Sequence, residues 1–370
     1  MSQVKRSIYA LSIISGTIIG VGLFSLPYIT LKVGILPILG YFFVLGILVI
    51  IVHYLFAEVS IKTPDFVRFP GFAKIHLGNW GKNIALASNI LGLLGAILAY
   101  LIVGGEFLTD LLGPVFGGQN LLYTLFYFVI GAALIYFGIK AIAKVEFWGL
   151  VLFFIILIFI FFKGFPLIQI KNLFPTPNLF YLFLPYGPIL FSLWGAALIP
   201  EAEEILKENK KLLRKIIPIS ILIPIFVYLF FIFLILGICG GDTTQTALTG
   251  LKDFLGSGPF YLLLFFGLLT TFTSFITLGL TLKKIFWYDL KLEKKLSWFF
   301  TCFIPLILFL IGIKSFIIVI SVVGGIMLGV DGILIILMYK KINPQKKALV
   351  YPLIFIFALG ILYEIIYFLK

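Results

Sequence analysis

Gly16-Thr17-Ile18-Ile19-Gly20-Val21-Gly22-Leu23-Phe24-Ser25-Leu26-Pro27-Tyr28 lies inside the first of a series of long apolar runs. Each glycine weakens a helix by about 1 kcal/mol relative to alanine, and proline removes a backbone donor. Two readings are open for such a stretch. It is a close packing contact, where glycine is common in membrane helices, or it is a break in the helix. A second stretch of the same kind stands some 175 residues downstream: Pro185 and Pro188, then Ser192-Leu193-Trp194-Gly195-Ala196-Ala197, then Pro200. The spacing of the two favours breaks, for a reason that comes from the rest of the chain.

Of the 370 residues, 62% are hydrophobic and 12% charged, with a mean hydropathy of +1.20. A soluble domain reaches about 45–50% apolar residues even with glycine counted. The composition excludes a soluble globular fold, a coiled coil and a disordered chain, and fits an all-α membrane protein with short loops. Eleven apolar runs are near the length that crosses a bilayer. They cover 7–31, 34–59, 83–112, 119–139, 145–162, 181–200, 216–239, 259–282, 298–313, 315–339 and 348–369. They are apolar throughout rather than alternating, so they read as helices and not barrel strands. The net charge of +13 sits in short loops. With the N-terminus inside, 22 Lys and Arg fall on the cytoplasmic side; Lys32, Lys163, Lys171, Lys252, Lys314 and Lys370 fall on the other. This predicts a multi-pass protein of the cell membrane, N-terminus cytoplasmic and C-terminus outside, and reads the basic charge as orientation rather than nucleic-acid binding. The first run follows Lys5 and Arg6, is too long for a signal-peptide core, and reads as a retained span. Cys239, Cys302, His53 and His76 compose no disulfide framework, zinc site or haem attachment.

The two interrupted helices start five helices apart. Five is odd, so the second set enters the membrane from the opposite side. That is the arithmetic of an inverted repeat led in each half by a discontinuous helix. The reading is one transmembrane domain over 1–370, with halves at 7–162 and 181–340 and an extra helix at 348–369. A break is tolerated in mid-membrane only where its backbone groups line a cavity or are buried in protein. Near Gly20-Val21-Gly22 the free N–H groups and positive dipole end suit a carboxylate; near Gly16–Ile19 free carbonyls suit an ammonium group or a small cation. The second break offers carbonyls at Phe191-Ser192 and N–H groups near Gly195. Together they suit a zwitterion, and hence an α-amino acid.

The first-helix stretch resembles the signature of amino-acid permeases of the amino acid–polyamine–organocation superfamily. Within it, the sequence is similar to the aromatic and hydroxy amino acid permeases and the amino acid/auxin permeases. Phe191-Ser192-Leu193-Trp194-Gly195-Ala196, running on to Pro200-Glu201, looks like their sixth helix. Thr273-Ser274-Phe275-Ile276-Thr277-Leu278-Gly279-Leu280, with Asp289 beyond, is similar to their eighth helix and following loop. The resemblance implies a LeuT-type five-plus-five inverted-repeat fold and cation-coupled amino-acid uptake. It implies that backbone at Gly20, Val21 and Gly22 holds the substrate carboxylate and that carbonyls near Ile18, Phe191 and Ser192 hold the amine. An ion would sit between Gly16 and Ile19 on helix 1 and Thr273 and Ser274 on helix 8. For the two hydroxyls the alternative is a bond back to their own helix. Some proton-coupled relatives place a lysine inside helix 5; here that helix has Glu146 at its inner end and no internal lysine.

Carboxylates at mid-membrane cost about 2.5–3.5 kcal/mol on insertion scales and need a reason. Glu106 and Asp331 are candidates to carry a proton or meet the substrate amine, with a structural role equally open. Glu58, Asp110 and Glu364 read as interfacial or capping groups, and His53 as a packing partner. Trp194 is expected to face the site and set side-chain selectivity. The stretch Gly240–Pro259 is either a lid over the entrance or a plain connector. The sequence therefore predicts a secondary amino-acid transporter for a small or aromatic neutral amino acid. No cofactor is expected beyond a coupling H+ or Na+, and no obligate protein partner besides the lipid bilayer. An uncoupled or exchange-type permease is the alternative within transport. A membrane enzyme is disfavoured, because neither histidine has a partner serine and Asp331 has no second aspartate nearby.

Overall fold

The computed structural model describes residues 3–63, 67–138 and 142–369; the side chains of 142–150, 347–349, 368 and 369 are not described. Lys140 and Lys370 therefore lie outside the described residues, and Lys144, Glu146 and Lys347 are described by their backbone alone. The chain is helical throughout: α1 Gln3–Ile18, α2 Leu26–Val33, α3 Ile35–Lys62, α4 Phe69–Phe116, α5 Asn120–Phe137, α6 Ile142–Gly164, α7 Tyr186–Leu193, α8 Ile199–Leu206, α9 Leu213–Cys239, α10 Lys252–Leu255, α11 Ser257–Lys284, α12 Lys294–Leu310, α13 Phe316–Val322, α14 Leu328–Ile342 and α15 Lys347–Leu369.

Among the described residues, seven helical stretches are long and apolar enough to cross a membrane, or eight if the bent pair Gln3–Ile18 and Val21–Val33 is one span. Eleven runs are read in the sequence, and the difference lies in particular elements. Runs six and seven merge into one helical stretch over Tyr186–Asp242. The ninth run forms α12, only 17 residues long, and the fifth counts only as the shorter stretch Val151–Leu167. The third run is extended backward: α4 begins at Phe69, because Gly78 at φ 79° lets a short helix turn into the long one. That φ is open to glycine at little steric cost.

The helices fall into two packed groups. In the first, α1, α3, α7, α8 and α9 pack on one another; in the second, α4 packs on α5, α11 and α12. Side-chain hydrogen bonds follow the same division. Pro224 inside α9 has no N–H for the carbonyl of Ser220, four residues earlier. The hydroxyl of Ser15 on α1 takes that carbonyl instead, at 3.1 Å. In the second group Lys283 Nζ donates to the last carbonyls of α5, Ile135 at 2.8 Å and Tyr136 at 2.9 Å. A cation there meets both the orphan carbonyls and the negative end of the helix dipole. Trp298 Nε1 donates to the Ala132 carbonyl at 2.8 Å, tying α12 to α5. Helix α14 packs against both α3 and α4, and α15 lies on α14. Between α13 and α14 the chain makes a π-helical turn, Val323–Met327, which packs on α7.

Candidate functional site

Helix α1 stops at Ile18. Gly20 is extended (φ −124°, ψ −156°), Val21–Ser25 form a 3₁₀ turn, and α2 resumes at Leu26 with Pro27 in its first turn. The two pieces meet at 42°. Proline is tolerated in a first turn because that N–H has no helical partner anyway. Helix α7 stops at Leu193 in the same manner. Trp194 is extended, Ala196–Leu198 form a 3₁₀ turn, and α8 follows with Pro200 in its first turn.

The two breaks touch each other through glycines. A Cβ on Gly22 would stand 3.0 Å from Cβ and 3.1 Å from Cα of Ser192; one on Gly195 would stand 2.9 Å from the side chain of Ile18. Each break leaves room for the other, and any larger residue at either position drives them apart.

The freed backbone groups are gathered by three buried side chains. The hydroxyl oxygen of Tyr228, on α9 and fully buried, lies 2.5 Å from the carbonyl oxygen of Ile18 and 2.8 Å from that of Ser192. A phenol has a single proton, so it satisfies one carbonyl at a time. The amide of Val21 donates to the hydroxyl of Tyr100 on α4 at 3.2 Å. The amide of Gly195 donates to Nε2 of His53 on α3 at 2.9 Å. As an acceptor there, Nε2 fixes the neutral tautomer with its proton on Nδ1. The imidazole stands edge-on to Trp194 at 5.0 Å, and Trp194 meets Phe357 of α15 edge-on at 6.4 Å.

The structure thus brings together Ile18, Gly20, Val21, Gly22, Phe191, Ser192, Trp194 and Gly195, with Trp194 packed between His53 and Phe357. Gly16 lies in the last turn of α1, and Ile19 just past its end. Thr273 and Ser274 lie half-buried on α11, where Thr273 donates to the Thr270 carbonyl at 3.0 Å. Thr277 and Thr281 donate to Thr273 and Thr277 in turn, at 3.0 and 2.9 Å. A threonine bonded back in this way still offers oxygen lone pairs to a cation. Glu106 accepts from the hydroxyl of Thr246, at 2.8 Å, so the 240–259 stretch is pinned to α4. Asp331, 6% exposed, accepts from the hydroxyl of Ser88, tying α14 to α4.

At the other end of the bundle, Arg214 makes a two-pronged ion pair with Glu58 (2.5 and 3.0 Å). Glu203 accepts from Ser60 and from Lys210 (3.1 Å), and Lys62 donates to Asn343 at 3.1 Å. Glu364 departs from its interfacial reading: it is 2% exposed.

Tyr228 and Tyr100 were not singled out in the sequence, and His53 was read only as a packing partner. The available signal was a polar atom alone in an apolar run. A buried hydroxyl or imidazole needs a partner, and a break supplies unpaired backbone.

A model of the tryptophan/tyrosine permease family matches residues 4–366. The chain belongs to that family. Membership makes it a membrane permease and not an enzyme. Tyrosine-specific transport system 1 of Haemophilus influenzae is 28% identical over 214 residues, 57% of this chain and 52% of that protein. The chain thus matches about half the length of that relative. Among solved structures, Mhp1, a nucleobase-cation-symport-1 family transporter, closed with bromovinylhydantoin bound, superposes with a TM-score of 0.66 at 12% identity, covering 89% of this permease and 77% of that chain. Inward-facing Mhp1 gives 0.69 at 11% identity, over 92% and 77%. MhsT in complex with L-phenylalanine gives 0.61 at 15% identity, over 97% and 98%. At these identities the likeness shows the fold alone.

Proposed function

We propose that the protein is a secondary transporter that imports a neutral aromatic amino acid across the cell membrane by alternating access. The observation that carries this reading is the crossing of two broken helices. There, two carbonyls compete for the one proton of Tyr228, and two amides are held by side chains rather than by helix. A substrate ammonium has three donors and answers both carbonyls; a substrate carboxylate takes amides at Val21 and Gly195 in place of Tyr100 and His53. The aromatic class is supported by the family and by the tyrosine-transporting relative.

In this reading the chain crosses the membrane eleven times, with helices 1 and 6 discontinuous, as a LeuT-type inverted repeat of 7–162 and 181–340 plus the helix at 348–369. The N-terminus is cytoplasmic and the C-terminus outside, and the placement in the amino acid–polyamine–organocation superfamily follows from the same helix signatures. The group of α1, α3, α7, α8 and α9 rocks against the group built on α4, opening the crossing to each side in turn. For the coupling ion, Gly16, Ile19, Thr273 and Ser274 offer a sodium site, while Glu106 and Asp331 are proton-carrying alternatives.

The test is a thermal-shift screen of the twenty amino acids, each with and without sodium. Stabilisation by tyrosine, tryptophan or phenylalanine supports the reading; no response to any amino acid refutes it. Gly20→Leu, whose Cβ would stand 2.5 Å from the Tyr100 hydroxyl, should abolish that response. An unchanged response in this variant moves the substrate away from the first break.

A further inference from the structure

Resting on the transport reading, one buried carboxylate has no place in the binding site. Glu364 lies on α15, outside both halves of the repeat, five residues before the end of the helix at Leu369. It is 2% exposed. Among the described residues no lysine, arginine or histidine forms an ion pair with it. Its Oε1 lies against Gly187, in the first turn of α7, the helix that ends at the second break.

The slot it occupies is built from missing side chains. A Cβ on Gly187 would stand 2.6 Å from Oε1 of Glu364 and 2.5 Å from the carbonyl oxygen of Ser321; one on Gly325, in the π turn, would strike the Glu364 side chain itself. The ionisable side chains near enough to feel its charge are phenols: Tyr41 from α3, Tyr186 from α7, and Tyr363 and Tyr367 from its own helix. The adjoining π turn Val323–Met327, Val-Gly-Gly-Ile-Met, presents no ionisable side chain.

A cavity of ≈ 140 Å³ lies beside this slot, lined by Tyr28, Lys32, Tyr181, Gln245, Ser321 and Tyr367, among others. Ser321 and Tyr367 flank Glu364. Ser321 is 2% exposed, and among the described residues its hydroxyl has no hydrogen-bond partner. Such a volume holds about ten waters.

We infer that Glu364 is the group through which a proton drives the transport cycle, binding it from the outer cavity and so controlling the hold of α15 on α7. Ionised, the carboxylate takes the Gly187 amide at the positive end of the α7 dipole, an interaction about twice as strong as a neutral hydrogen bond. It fixes α15 to the first turn of α7. Protonated, the group is neutral, keeps only a weak acceptor toward Gly187, and frees α7 to move with its break. Departure of the proton on the other side restores the clamp, so one proton crosses with each substrate.

The experiment uses the full chain in liposomes, with labelled tyrosine as the probe. One pH unit, acid outside, should give wild-type about tenfold accumulation at one proton per substrate. It should also produce an inward proton flux on substrate addition, read with a trapped pH dye. Glu364→Gln keeps the size and the acceptor but cannot lose a charge. It is expected to exchange tyrosine for tyrosine, yet to accumulate none beyond equilibrium and to move no protons. Glu364→Asp restores the acid and should restore accumulation. Wild-type accumulation in Glu364→Gln overturns the proposal. So does a wild-type driven by sodium with no proton flux, a result that needs no variant and leaves the transport reading standing. A wild-type that exchanges no aromatic amino acid removes the transport reading itself, and this one with it.

Discussion

The two breaks solve one problem with different partners. At the first, the freed amide of Val21 is held by Tyr100, from the group of helices built on α4. At the second, the freed amide of Gly195 is held by His53, from the same group as the break itself. Their carbonyls share Tyr228, again from within that group. One bond therefore spans the boundary between the two groups and the others do not. A ligand that displaces Tyr100 unfastens the groups; a ligand that displaces His53 rearranges only one of them.

The largest expected effect comes from forcing the breaks apart. Gly22→Val places a branched side chain where Ser192 already stands, and no rotamer of either avoids it. Uptake should fall at least a hundredfold. Overpacking of this kind costs about 1–3 kcal/mol, so a lower melting temperature should accompany the loss. Next comes Tyr228→Phe, which removes the one proton that two buried carbonyls share, at about 1–3 kcal/mol. Its melting temperature should fall without substrate and recover more than wild-type does when substrate supplies an ammonium group. Equal recovery in both proteins removes Tyr228 from the site.

A pair of variants then sharpens the contrast between the breaks. His53→Leu and Tyr100→Phe each orphan one amide, again about 1–3 kcal/mol. His53→Leu should lower thermal stability in every state. Tyr100→Phe should instead shift the balance of states, seen as altered labelling of single cysteines placed between the groups. Similar labelling in the two variants erases the distinction. The smallest effect is expected for Lys210→Ala. The lysine side chain is 38% exposed, its partner Glu203 keeps the Ser60 hydroxyl, and exposed ion pairs contribute little. The change should be slight in low salt and absent in high salt, by melting temperature.

Much of this was readable from the sequence, because membrane helices obey local rules. Apolar length and the glycines and prolines inside a run are properties of neighbouring residues, and the glycines and prolines mark both breaks within a residue or two. The partners at the breaks were not readable. Tyr228 meets Ile18 across 210 positions and Gly195 meets His53 across 142, and nothing in a single run says which helix will lie beside it. The same holds for Glu364. Its place in a run end reads as interfacial, and only the approach of α7 makes it a buried group. The helix count also shifts for local reasons, since 3₁₀ turns join runs six and seven into one helical stretch and α12 is short.

The bond between Ser15 and the carbonyl freed by Pro224 bears on ancestry as well as architecture. A sequence with an ordinary amide at 224 has no stranded oxygen on α9, and so nothing for a hydroxyl at 15 to do. A sequence that gains the proline without the hydroxyl carries an orphan acceptor between two packed helices. Positions 15 and 224 should therefore drift as a pair, and a collection of relatives ought to hold few members with one and not the other.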